Sequence, residues 1–65
     1  MSVSPAAEAR RNLDLTQAEF AKLLGVSKRT LQEWEQGRRQ PSGAAKSLIA
    51  IAIKRPDVLK EILAA

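Results

Sequence analysis

Apolar residues recur along the chain at intervals of three and four, and no segment alternates with period two, so the pattern predicts helices throughout. Ser4 and Pro5 predict the start of the first. Serine caps, proline occupies the first helical position where its missing N–H costs nothing, and Glu8 sits near the positive end of the dipole. That helix is expected to run to about Asn12. Thr16-Gln17-Ala18-Glu19 is a capping-box sequence that opens a second helix, carrying Ala18, Phe20, Ala21, Leu23 and Leu24 until Gly25 stops it. Ser27 caps a third, which runs through Leu31 and Trp34 to Gln36 and ends at Gly37. Arg38, Arg39, Gln40 and Pro41 form a basic connection, with Pro41 pushing Gln40 out of helical geometry. Ser42 is expected to cap a fourth helix with the apolar stripe Ala45, Leu48, Ile49, Ala52 and Ile53. Pro56 and Asp57 open a fifth, with Val58, Leu59, Ile62 and Leu63.

Composition narrows what such a bundle can do. Sixty-five residues suit a single domain, residues 1–65, with a marginal core. With no cysteine the core has no disulfide to lean on. His, Cys and Tyr are absent, and the carboxylates mostly stand beside basic residues or at helix starts, so neither an enzyme, a metal site nor a cofactor is expected. There is no apolar run near the ~20 residues that cross a membrane and no signal-peptide order, which makes the cytoplasm, in association with the nucleoid, the expected place. Eleven Lys and Arg against seven Asp and Glu leave a formal charge of +4. Its distribution matters more than its size. Lys28, Arg29, Arg38, Arg39 and Lys46 cluster in and just after the third helix, which biases that region toward a polyanion.

The second and third helices, joined through Gly25, Val26 and Ser27, have the shape of a helix-turn-helix over about residues 16–37. Ala21 stands four residues before Gly25, where a small side chain lets the helices approach. Leu31 and Trp34 lie where they would plug the junction. Residues 17–37 of this chain resemble the phage-repressor and Cro class of helix-turn-helix regulators. Residues 31–45, and the ending from Leu48 to Leu59 with Lys54-Arg55-Pro56-Asp57, are similar to the DNA-binding part of HigA-like antitoxins. The resemblance implies an all-α, compact five-helix repressor-like fold and a sequence-specific transcriptional repressor. It further implies the antitoxin of a type II pair, with a RelE- or HigB-like toxin as partner and an autoregulated promoter. Members of that type commonly carry a further segment before the helical domain, and only about a dozen residues precede the motif here. A solitary phage-type or operon repressor shares much of the pattern. A protein-interaction module using the bundle as scaffold would leave the basic cluster unexplained.

In a helix-turn-helix the third helix enters the major groove with its N-terminal residues at base edges. Lys28 and Arg29 can donate to guanine O6 and N7, or hold phosphate without reading bases. Gln32 can pair with adenine or a phosphate, and Ser27 and Thr30 can offer short polar contacts or a methyl group to thymine. Each good bidentate pair contributes about 1–3 kcal/mol of discrimination. Gln17, which in the repressor class holds a phosphate, is expected to position the domain together with Arg38, Arg39, Ser42 and Lys46. The resemblance also implies an ion pair between Arg10 and Glu35. A two-fold dimer on a palindromic double-stranded operator is expected, with Val58, Leu59, Ile62 and Leu63 as candidate dimer residues beyond what the core consumes.

Overall fold

Helix ends in this chain are decided by local capping chemistry. The computed structural model describes residues 4–64, which form α1 (Pro5–Asn12), α2 (Gln17–Leu24), α3 (Lys28–Glu35), α4 (Gly43–Lys54) and α5 (Pro56–Ala64), with no strand among them. The architecture is the all-α five-helix arrangement that the periodicity predicts. Ser4 Oγ accepts from the Ala7 amide at 3.2 Å, and Pro5 begins α1. At α2 the capping box is complete: Thr16 Oγ1 accepts from the Glu19 amide at 3.1 Å, and Glu19 Oε1 accepts from the Thr16 amide at 2.9 Å. The Thr16 amide, and after it the Thr16 hydroxyl, hold the Glu19 carboxyl below its ordinary range. Gly25 ends α2 at φ 73°, a left-handed conformation that any side chain would strain. Ser27 Oγ accepts from the Thr30 amide at 3.1 Å and opens α3.

Two expected ends are corrected. α3 stops at Glu35, with Gln36 already its C-cap. Ser42 occupies the N-cap position of α4 but makes no side-chain cap bond. Gly43, the first helical residue, sits at φ 58°, which distorts the turn that Ser42 Oγ would have to span.

The core is built from Ala6, Ala9, Leu13, Phe20, Ala21, Leu31, Trp34, Ala45, Ile49, Ala52 and Leu59. Phe20 and Leu31 are its largest fully enclosed side chains, and Ala21 and Trp34 close the α2–α3 junction around them. α1 packs mainly on α4, α2 on α3, and α5 on α4. Small residues make the α1–α4 approach possible: Ala6, Ala9, Ala45 and Ala52 are all buried. Asn12 fastens it by donating to the Ala52 carbonyl at 3.1 Å.

α2 buries fewer residues than its composition suggests. Ala18 is exposed and Leu23 and Leu24 are half-buried; 3.6 residues per turn put Ala18 nearly opposite Phe20, the side chain of α2 that the core encloses. The candidate dimer residues of α5 also divide. Leu59 is buried in the core and so is removed from that set, and Val58 is half-buried. Ile62 and Leu63 remain exposed at 62% and 45%.

Phe20→Ala is expected to cost about 3–5 kcal/mol, since the ring is wholly enclosed and a marginal domain cannot collapse around the void. Ala18→Ser, on the outer face of the same helix, is expected to change stability by less than about 0.5 kcal/mol. Urea denaturation of both variants checks the assignment of inner and outer faces.

Candidate nucleic-acid interface

α3 presents two unlike faces. Leu31 and Trp34 are buried against the other helices. Lys28 and Arg29 are exposed, and neither joins an ion pair among the described residues. Their placement runs against helix electrostatics. The N-terminus of a helix carries a partial positive charge, and α1, α2 and α5 each answer it with an acid in the first turn, Glu8, Glu19 and Asp57. α3 and α4 have none. α3 instead starts with two cations, and Lys46 stands in the opening turns of α4. Each such cation costs a few tenths of a kcal/mol to about 1 kcal/mol in the free protein, and an anion at the helix start would relieve it. A departure from the local rule of this kind marks a candidate site.

The remaining expected residues have different freedoms. Arg38, Arg39 and Ser42 are exposed in the connection between α3 and α4. Arg38 has no ion-pair partner among the described residues, and Arg39 Nη1 lies a loose 4.0 Å from Glu33 Oε1. Ser27 is more committed than its sequence position suggests. Besides capping, its hydroxyl donates to Thr30 Oγ1 at 3.0 Å, so both side chains are engaged within the first turn.

Beneath the exposed face lies a polar network that joins α1, α2 and α3. Arg10 Nε donates to Glu35 Oε2 at 2.8 Å and Arg10 Nη2 to Glu35 Oε1 at 3.2 Å, a bidentate pair. Arg10 Nη1 also donates to the Leu15 carbonyl at 3.2 Å, on the turn between α1 and α2. The Glu35 side chain is 8% exposed, which makes these contacts its substitute for water. Gln17 is held here as well: its Nε2 donates to Glu35 Oε1 at 3.2 Å, and its Oε1 accepts from Gln32 Nε2 at 3.3 Å. Sequence reasoning placed Gln17 and Gln32 separately and missed this bond. Two glutamines fifteen positions apart carry no local signal of pairing.

Residues 7–59 match the helix-turn-helix family. The chain belongs to the helix-turn-helix family of DNA-binding domains. Among curated proteins it is similar to Antitoxin HigA-2 of Vibrio cholerae serotype O1, at 40% identity over 53 residues, which cover 82% of this chain and 51% of that one. It is also similar to Type II methyltransferase M.SsoII of Shigella sonnei, at 50% identity over 40 residues, covering 57% of this chain and 11% of the enzyme. The helix-turn-helix chain thus spans about half the length of the first relative and a small part of the second. No solved structure matches it.

The helix-turn-helix is held by the network as well as by its apolar junction. Arg10→Ala or Glu35→Ala is expected to cost roughly 2–4 kcal/mol, at the lower end because Arg10 keeps some contact with water. The double variant should lose well under the sum, with about 1–3 kcal/mol of coupling in a stability cycle. Additive losses would reject the pair as a structural tie.

Proposed function

We propose that the chain is the DNA-binding part of a transcriptional repressor that also serves as a type II antitoxin and represses its own promoter. The observation that carries the DNA-reading part is the outward face of α3, where Lys28 and Arg29 stand exposed at a helix start and without an ion-pair partner among the described residues. In the major groove Arg29 would take guanine as a bidentate fork, and Lys28 would take guanine or an adjoining phosphate. Arg38, Arg39, Ser42 and Lys46 would grip the backbone on either side.

The domain measures 32 × 25 × 21 Å, about one turn of duplex along its longest axis. One copy therefore covers one groove face. Selective binding calls for two copies on a palindrome, with half-sites about 34–36 Å apart. Ile62 and Leu63, the exposed apolar pair of α5, are the residues offered for that dimer. The antitoxin role and its RelE- or HigB-like toxin rest on the similarity to a protein named antitoxin, over about half that protein's length. A repressor without a toxin is the second reading, favoured by the methyltransferase relative, in which a matching stretch makes up 11% of a much larger protein. No helix among the described residues is long and apolar enough to cross a membrane, and a DNA-binding repressor would work in the cytoplasm.

A footprint on the chain's own promoter tests the reading. Wild type is expected to protect two symmetric half-sites at low salt and to release them steeply as salt rises. Arg29→Ala should bind the site about 5- to 150-fold more weakly and lose preference at one base pair per half-site. No protection by wild type at low salt would overturn DNA binding. Unchanged preference in Arg29→Ala would remove Arg29 as a reader. Co-expression with the neighbouring gene separates the two readings: a stoichiometric complex supports the antitoxin, and none supports the solitary repressor.

A further inference from the structure

The polar network beneath α3 has a direction. A carboxylate in an arginine pair can only accept hydrogen bonds. Glu35 Oε1 already takes Arg10 Nη2, and at that oxygen Gln17 must present its amide nitrogen, as it does at 3.2 Å. The carbonyl end of Gln17 is then what remains for Gln32, and Gln32 must answer with its own nitrogen, as it does at 3.3 Å. Reversing either amide would set two oxygens, or two N–H groups, against each other. The charge on Glu35 therefore dictates which way Gln32 points, through one intermediate side chain.

What Gln32 has left is thereby fixed. One N–H of Nε2 and the whole of Oε1 have no partner among the described residues, and Gln32 is half-buried on the side of α3 that carries Arg29. A donor beside an acceptor fits one base edge in the major groove twice over: adenine offers N7 as acceptor and N6–H as donor. Cytosine offers only its N4–H. Guanine and thymine turn O6 or O4 toward Oε1, oxygen against oxygen. A glutamine free to turn over could give both N–H groups to guanine, whereas one held from behind cannot without breaking its bond to Gln17.

We propose that Gln17 and Glu35 are positioning residues that hold Gln32 as an adenine reader, so that each operator half-site carries an adenine required by α3 through Gln32. The inference deepens the DNA-binding reading and rests on it. It moves Gln17 from a residue that only grips phosphate to one that sets base preference, and it gives Glu35 a part in specificity although that side chain is nearly enclosed.

The test is selection from a pool of random duplexes at low salt with wild type, Gln32→Ala and Gln17→Met. The methionine removes both amide ends of Gln17 at similar volume. Wild type is expected to enrich a motif, and the position whose preference falls in Gln32→Ala should be adenine. Gln17→Met should lower the adenine preference at that same position about tenfold, leaving the guanine preference assigned to Arg29 in place. A uniform loss of affinity in Gln17→Met with an unchanged motif would overturn the inference and leave Gln17 a phosphate contact. Guanine or thymine at the Gln32 position in wild type would overturn it too. Failure of wild type to enrich any motif would instead bring down the DNA-binding reading itself. The unaltered protein supplies a second arm that needs no folded variant. Replacing the selected adenine by 7-deazaadenine, which lacks the N7 acceptor, or by purine, which lacks the N6 amino group, should each weaken binding about tenfold. No change with either analogue would rule out the two-bond contact.

Discussion

The bidentate pair between Arg10 and Glu35 is the contact on which the rest of this small structure depends. Glu35 closes α3, Arg10 lies in α1, and the same carboxylate receives Gln17 from the start of α2. Three helices of eight residues each are too short to hold their places by propensity alone. Phe20, Leu31 and Trp34 supply the apolar drive for α2 and α3 to pack, but apolar contact is non-directional. The polar network adds direction, fixing how far α3 rotates about its own axis and thus which residues it turns outward.

That division of labour explains why α3 can carry charges that destabilise it. Lys28 and Arg29 oppose the helix dipole and lie close together in a protein whose net charge is already positive. Their cost is tolerable because the inner face of the helix is anchored at Leu31, Trp34 and Glu35. The outer face is then free to be shaped by a polyanionic partner. The same reasoning covers α4, whose opening turn lacks both an acid and a serine cap bond, and which stays in place through Ala45, Ile49 and Ala52.

Much of this was legible in the sequence, and the reasons are local. Helix starts at Ser4, Thr16 and Ser27 follow from side chains that satisfy amides two or three residues away, and Gly25 announces its turn by residue type. The helix-turn-helix was legible because its glycine, its small residue at Ala21 and its two plugs stand at fixed spacing. Ser42 misled because residue type marks it as a cap, whereas the positive φ that Gly43 adopts beside it is not written in the residue type of Ser42. Leu59 could not be told from Ile62 and Leu63 because a short apolar helix at the end of a chain does not say which stripe the core takes. The candidate surface was legible in its cations. The inward turn of Gln17 and its bond to Gln32 was not, since that pairing exists only once α2 and α3 have packed.

The central claim is that α3 meets DNA with its outer face while its inner face stays tied to the bundle. Titrating the isotope-labelled protein with a duplex from its own promoter, and following amide and side-chain signals by NMR, tests it most directly. The account predicts the largest shifts at Lys28, Arg29 and Gln32, smaller ones at Arg38, Arg39 and Lys46, and little change at Leu31 and Trp34. Saturable binding that leaves the signals of Lys28, Arg29 and Gln32 unmoved would contradict it.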